Sequence, residues 1–211
     1  MFKPLINQKG KNILFIKMWG MGDAVILLPL LNQLKIYSNN AKIVVLATDE
    51  TAKVFEGYAD EIIIFDSRLS IFLPFRILKT ILELQKKGIG IVFDFEQFTR
   101  ISSILGFLSG GAERIGYHGT GKELLYTKRV KFDPDKHAIE AFDDVLRSYT
   151  PTITIPKELL PLKISKEDEK NCRGIYYKKQ IRKKYNRNPP GLWKYSNFQK
   201  MGKRKVCKIG R

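Results

Sequence analysis

The stretch that decides the fold is Asn12-Ile-Leu-Phe-Ile-Lys-Met-Trp-Gly-Met-Gly-Asp-Ala-Val-Ile-Leu-Leu-Pro-Leu-Leu31. Its first six residues form a short, mostly apolar run, which favours a buried strand. A turn with two glycines, Gly20 and Gly22, follows. Over residues 23–37 apolar side chains recur with helical spacing, and Asp23 stands where an N-cap is expected. The stretch therefore predicts a strand, a loop and a helix.

The same alternation continues along the chain. Uniformly apolar strands of this kind are buried on both faces, which is typical of parallel sheets with helices on each side. The sequence therefore predicts an α/β fold, a Rossmann-like doubly wound parallel sheet, over residues 1–165. Further strands are predicted at 42–47, 61–65, 89–94 and 114–117, and further helices at 48–56, 71–87, 98–108 and 137–149.

Charge divides the chain into two parts. The 211 residues carry a formal net charge of +17. Residues 1–170 hold 24 basic and 21 acidic side chains, whereas residues 171–211 hold 14 basic and none acidic. Helical and strand periodicity also ends near Asn171, and both cysteines follow it. We therefore predict that residues 166–211 form a basic tail that is disordered or encoded by a shifted reading frame.

Composition also restricts the class of protein. No cysteine precedes Cys172, which excludes a disulfide scaffold or a Cys-ligated metal site in the first 170 residues. The most apolar run, residues 24–31, is interrupted by Pro29 and is too short to cross a bilayer. Cytoplasmic residence is therefore expected.

The loop after the first strand is the first place to look for chemistry, because open α/β sheets bind ligands beyond the carboxyl ends of their strands. Gly20 and Gly22 allow close approach of a ligand, and N–H groups at a helix start attract anions. A dinucleotide fingerprint would need a third glycine where Val25 stands. Asp23 is either a general base at this crevice or a helix cap only, and the two roles are compatible.

Four stretches in series resemble the family 9 glycosyltransferases, which include the bacterial lipopolysaccharide heptosyltransferases. They are residues 13–31, Ala59-Asp-Glu-Ile-Ile-Ile-Phe-Asp66, Gly90-Ile-Val-Phe-Asp94 and Ser109-Gly-Gly-Ala-Glu-Arg-Ile-Gly-Tyr117, and the resemblance covers roughly residues 11–165. It implies the N-terminal, acceptor-side half of a GT-B fold. It also implies inverting transfer of heptose from ADP-heptose to a lipopolysaccharide core sugar, without a cofactor or an obligatory metal.

The resemblance also implies roles for individual residues. Asp23 matches the family's Gly-Asp carboxylate, the base that deprotonates the acceptor hydroxyl, and Gly20 and Gly22 accompany it as substrate-binding residues. Arg114 matches the Arg-Ile-Gly motif and would face an anionic acceptor group, although an edge-strand arginine without ligand is an equal alternative. A second domain of about 150 residues does not fit the length. We therefore expect the nucleotide-sugar domain to be absent and the chain to be inactive alone.

Two other features leave alternatives open. The basic tail could make the protein a polyanion-binding module for nucleic acid or an anionic membrane, although such composition binds polyanions nonspecifically. A glycolipid acceptor would instead bring the protein to the cytoplasmic face of the inner membrane. His118 and His137 are too few for a histidine metal site and are predicted to be non-catalytic. Asp94 and Glu96 follow a strand and could line the crevice.

Overall fold

The computed structural model describes residues 12–38, 41–68, 71–118, 121–151, 153 and 159–163. The predicted tail, and with it the polyanion-binding alternative, lies outside the described residues. The boundary at residue 165 therefore stays a prediction. No helix in the described ranges is long and apolar enough to cross a membrane.

The described residues form the predicted strands and helices in the predicted order, with one further strand and one 3-10 turn before the last helix. The strands are β1 (Asn12–Ile16), β2 (Ile43–Ala47), β3 (Glu61–Ile64), β4 (Ile89–Asp94), β5 (Glu113–His118) and β6 (Lys128–Lys131). The helices are α1 (Met21–Tyr37), α2 (Asp49–Phe55), α3 (Leu73–Gln85), α4 (Arg100–Leu108) and α5 (Ala138–Tyr149), with one 3-10 turn at Glu123–Leu125.

The strands form one parallel sheet in the order β3-β2-β1-β4-β5-β6. Helices α1, α2 and α5 cover one face of this sheet, and α3 and α4 cover the other. The predicted Rossmann-like doubly wound fold is thereby confirmed. The strand order reverses between β1 and β4, which makes their carboxyl ends the topological switch point where such folds bind ligands.

Both faces of the central strands are buried, as their apolar sequences predict. In β1, Ile13 and Phe15 join the core under α1, α2 and α5, while Leu14 and Ile16 join the core under α3 and α4. Alternate side chains of a strand point to opposite faces, so a strand between two helix layers must be apolar at every position. All five residues of β2 are likewise buried.

The start of α1 differs from the sequence prediction. The N-cap is Gly20, whose φ of 84° lies in the left-handed region, and the helix begins at Met21. Asp23 is the third helical residue, so its prediction as the N-cap was wrong. A residue with a Cβ is strained at positive φ, which explains why glycine occupies the cap. This shift places the Asp23 carboxylate on the first helical turn.

Candidate functional site

Four charged side chains meet at the carboxyl ends of β1 and β4. Ile16 and Asp94, the last residues of these adjacent strands, are paired in register. Lys17 follows β1 directly, and Glu96 lies two residues beyond the end of β4. Lys122 reaches the same region from the segment before the 3-10 turn. We call Lys17, Asp94, Glu96 and Lys122 the switch-point cluster.

Asp23 is fixed on one side and open on the other. The Lys17 Nζ lies 3.2 Å from Asp23 Oδ2 and 3.7 Å from Glu96 Oε1. The Lys17 side chain is 4% exposed and also lies 5.5 Å from the centre of the Phe142 ring, whereas the Asp23 side chain is 41% exposed. An incoming hydroxyl can therefore reach the Asp23 carboxylate while Lys17 holds its orientation.

Glu96 holds the backbone of the loop between β1 and α1, directly before the helical turn that carries Asp23. Its Oε1 accepts hydrogen bonds from the N–H of Met18 at 2.8 Å and of Trp19 at 2.9 Å. On the other side of the loop, the hydroxyls of Thr48 and Thr51 donate to the Met18 carbonyl at 2.7 and 3.0 Å. The loop is thus fixed from β4 and from the start of α2, which limits the positions that Asp23 can adopt.

Asp94 and Lys122 form the fully enclosed part of the cluster. Asp94 accepts hydrogen bonds from the hydroxyls of Tyr126 at 2.5 Å and Ser102 at 2.7 Å, and from the Glu96 N–H at 2.9 Å. The Lys122 Nζ lies 3.9 Å from Asp94 Oδ2 and donates to the Glu96 carbonyl at 2.6 Å. Burial raises the pKa of Asp94 and lowers the pKa of Lys122, and their mutual attraction opposes both shifts.

Three residues that the sequence predicted for the site are close neighbours along the chain. Gly20, Gly22 and Asp23 lie on the same turn at the mouth of the crevice. A Cβ on Gly20 would come within 3.0 Å of Asp23 Oδ2, whereas a Cβ on Gly22 would meet nothing within 4 Å. A side chain at position 22 would therefore meet nothing beyond its neighbours along the chain, and a substrate-binding role for Gly22 stays a prediction.

Arg114 makes its contacts elsewhere. It is the second residue of β5, near the amino end of that strand. Its guanidinium donates to the carbonyls of Gly111 at 2.6 Å and Leu125 at 2.8 Å and lies 5.1 Å from the centre of the Phe107 ring. In the described part of the chain none of its contacts is with the glycine turn or Asp23. These contacts fix the segments around β5, and an acceptor-binding role for Arg114 stays a prediction.

Sequence reasoning missed two members of the cluster. Lys17 could have been predicted, because a lysine directly after an apolar strand places a positive charge at the carboxyl end of the sheet. Lys122 lies in an irregular segment whose sequence has no such pattern. Of the histidines, His137 accepts a hydrogen bond from the Ile139 N–H at 3.3 Å and so caps α5. In the ranges described, no three His, Cys, Asp or Glu side chains are placed to hold a metal ion.

Comparison by sequence gives no relative. No protein-family model matches the chain, and no curated protein matches it.

Comparison by structure gives three informative matches. A family 9 glycosyl transferase from Veillonella parvula has a TM-score of 0.68 and 20% identity, over 79% of this chain and 49% of that one. The E. coli ADP-heptose lipopolysaccharide heptosyltransferase II has a TM-score of 0.60 and 17% identity, over 79% and 50%. E. coli heptosyltransferase WaaC with ADP has a TM-score of 0.55 and 17% identity, over 70% and 49%.

These matches are to glycosyltransferases of the kind that the four sequence stretches resemble. The likeness predicted from those stretches is confirmed at the level of the fold. The chain spans about half the length of each matched structure.

Proposed function

We propose that this domain is the acceptor-side half of a heptosyltransferase-type glycosyltransferase, with Asp23 as its general base. The observation that carries the proposal is the placement of Asp23. Its carboxylate is 41% exposed, lies beside the sheet's switch point and is oriented by the buried Lys17 at 3.2 Å. A base must lie within hydrogen-bond reach of the proton that it removes, and an accessible, oriented carboxylate meets that requirement.

The proposed reaction is a single displacement. The acceptor hydroxyl enters from the solvent-exposed side of Asp23 and donates its hydrogen bond to the carboxylate. As the hydroxyl oxygen bonds to the anomeric carbon, the bond from that carbon to the nucleotide diphosphate breaks and the proton passes to Asp23. One displacement inverts the configuration at the anomeric carbon.

The substrates are proposed from the structural matches. The E. coli protein with a TM-score of 0.60 is an ADP-heptose lipopolysaccharide heptosyltransferase, and WaaC was solved with ADP. We therefore propose ADP-heptose or a related nucleotide-sugar as donor and a lipopolysaccharide core sugar as acceptor. A lipid-linked acceptor places the reaction in the cytoplasm, at the inner face of the membrane.

The 211-residue chain is proposed to bind acceptor without turnover on its own. Transfer requires donor and acceptor to be held together in reactive geometry. The described residues form one sheet with one crevice, and the chain spans about half of each matched glycosyltransferase. The nucleotide-sugar would then be held by a second lobe opposite this crevice.

Calorimetry with a heptose-deficient lipopolysaccharide core tests the proposal. The native chain should bind this acceptor, and Asp23→Ala should weaken binding about tenfold, the worth of one hydrogen bond to a charged group. The matched control is Asp144→Asn, which alters a surface carboxylate paired with Lys136 and should leave binding unchanged. Absence of acceptor binding, or equal binding by Asp23→Ala, would contradict the proposal.

A transfer assay with ADP-heptose and the same acceptor tests whether the chain is inactive on its own. The native chain should give no heptosylated product. Turnover that disappears in Asp23→Ala would support the base assignment and refute inactivity of the chain alone. Turnover that survives in Asp23→Ala would refute both.

A further inference from the structure

Helix α3 presents apolar side chains in two opposite directions. Leu73, Ile77 and Ile81 pack against the core beneath the sheet, and Leu84 is fully buried there. These residues account for the attachment of α3 to the fold. Three further apolar side chains on the outward side are left in solvent, and we call them the α3 stripe: Phe75, Leu78 and Leu82.

The α3 stripe is contiguous. Its members are spaced by three and four residues, which places them on one helix face. Their exposed fractions are 70% for Phe75, 53% for Leu78 and 50% for Leu82. Together with Lys79, Glu83 and Lys86 they line a shallow depression on the outer face of α3. Single exposed apolar residues are ordinary, but a contiguous stripe beside a depression marks an interaction surface.

The charges beside the stripe are predominantly positive. Lys79 and Lys86 line the depression, and neither has an acidic partner in the part of the chain that the structure describes. Glu83 is the one acid among the lining residues. Nearby basic residues differ, because Arg76 pairs with Asp66 and Lys87 with Glu61. The stripe therefore calls for an occupant that is both apolar and anionic.

Charge discriminates among the occupants. Residues 171–211 of the same chain carry 14 basic and no acidic side chains, so they do not offer the negative charge that would complement Lys79 and Lys86. A small soluble anion would leave the apolar side chains in water. An anionic bilayer offers acyl chains to the stripe and phosphates to the lysines, which is how amphipathic helices lie in a membrane interface.

We propose that the outward face of α3 docks on an anionic phospholipid bilayer. Phe75, Leu78 and Leu82 enter the boundary between head groups and acyl chains, and Lys79 and Lys86 contact lipid phosphates. The surface lies on α3 and uses none of the residues assigned to catalysis, so the proposal does not rest on the proposed function.

Vesicle co-sedimentation of the full 211-residue chain tests this surface. The probes are phosphatidylcholine vesicles with and without about one third phosphatidylglycerol. Residues 171–211 will also attract anionic vesicles, but that attraction is electrostatic and is largely screened at about 0.5 M salt. Binding at about 0.5 M salt therefore reports the apolar contribution, and binding at low salt reports the charges.

The triple variant Phe75→Ser/Leu78→Ser/Leu82→Ser should bind anionic vesicles at least tenfold more weakly than the native chain at about 0.5 M salt, since each removed side chain loses favourable burial. The matched control is Ile36→Ser, which replaces an exposed residue of α1 and should change nothing. Equal binding by the native chain and the triple variant overturns the proposal.

Two further measurements sharpen the test. Lys79→Ser/Lys86→Ser should weaken low-salt binding by roughly fivefold per lysine, with no change on pure phosphatidylcholine. Light scattering after gel filtration reports self-association. A native dimer that the triple variant converts to a monomer would assign the stripe to a protein interface and overturn membrane docking. Far-UV circular dichroism confirms that each variant is folded.

Discussion

The switch-point cluster and the α3 stripe invert the usual distribution of side chains. The cluster buries four charged residues, each at most 4% exposed, whereas the stripe leaves three apolar residues at least half exposed. The difference lies in where the partners are. Each buried charge contacts another group of the same chain, while the side chains of the stripe remain largely in solvent. Charged side chains that are paired within the chain hold other residues in position, whereas apolar side chains left in solvent indicate a surface for an external partner.

Removing one charge from the cluster should have the largest effect on stability. Lys122→Met removes the cation beside the fully buried Asp94. Breaking a buried pair from one side costs about 3–5 kcal/mol, and urea denaturation measures the loss. The control is the double variant Asp94→Asn/Lys122→Met, which removes both charges and should recover part of the lost stability. Equal instability of the single and double variants would show that the ion pair is not the cause.

Glu96→Ala should have the next largest effect and should also reach the site. Without the carboxylate, the N–H groups of Met18 and Trp19 lose the oxygen that accepts their hydrogen bonds. We expect the free energy of unfolding to fall by about 2–3 kcal/mol. Acceptor binding at Asp23 should fall as well, because the loop is released. Glu96→Gln retains an acceptor oxygen and should lose less than half as much. Faster hydrogen exchange at the Met18 and Trp19 amides would identify the released groups.

Gly20→Ala tests the geometry of the turn. The substitution places a side chain at φ 84° and brings a Cβ within 3.0 Å of Asp23 Oδ2. We expect a loss of about 1–2 kcal/mol in stability, together with weaker acceptor binding because the Asp23 carboxylate is displaced. Gly22→Ala is the matched control for stability, since its Cβ meets nothing within 4 Å. An equal loss of stability in the two alanine variants would contradict this account.

A surface carboxylate, Asp60, should have an effect on stability that is smaller than in the switch-point cluster and larger than in the α3 stripe. Burial alone would raise the pKa of Asp60, but hydrogen bonds from the Ile43 N–H and from Lys35 hold its pKa below the ordinary value. A lowered folded-state pKa contributes stability above about pH 4 that is lost as the pH falls through the folded pKa. Asp60→Asn should therefore lose at most about 1 kcal/mol at pH 7. The difference from the native urea midpoint should shrink as the pH falls below about 4 and through the lowered folded-state pKa.

The smallest effect on stability is expected at the stripe. Leu78→Ser removes an apolar side chain that is 53% exposed and should change the free energy of unfolding by less than about 0.5 kcal/mol. Leu84→Ser on the buried side of the same helix is the contrasting variant and should cost several times more. A large loss in Leu78→Ser would show that the stripe is already packed in the folded chain.

The fold was predictable where burial dictates sequence. The strand at Ile89–Asp94 is found with the predicted bounds, because both its faces are covered and every position is buried. Strand β6 was not predicted, because only Val130 of Lys128-Arg-Val-Lys131 is buried. Such an edge strand is defined by its pairing with β5, which lies outside its own sequence. Local periodicity could not reveal it.

The site was predictable only in part, for a related reason. Asp23 could be named as a candidate because a glycine turn after a strand marks the crevice of an α/β sheet. The lysines of the switch-point cluster, Lys17 and Lys122, could not be predicted in the same way, because they contact residues far along the chain. Asp94 and Glu96 were considered as crevice residues in contact with ligand. The structure shows that they bind the chain's own amides, hydroxyls and lysines.

The Glu96 clamp also sets an order of events during synthesis. The Met18 amide leaves the ribosome 78 positions before the carboxylate that will bind it. Until Glu96 has been synthesised and β4 has paired with β1, the N–H groups of Met18 and Trp19 lack the carboxylate that accepts their hydrogen bonds. Thr48 and Thr51 are made earlier and can hold the Met18 carbonyl first, so the loop before α1 gains its two sets of contacts in sequence. Ribosome-bound nascent chains that end before Glu96 would display it unclamped.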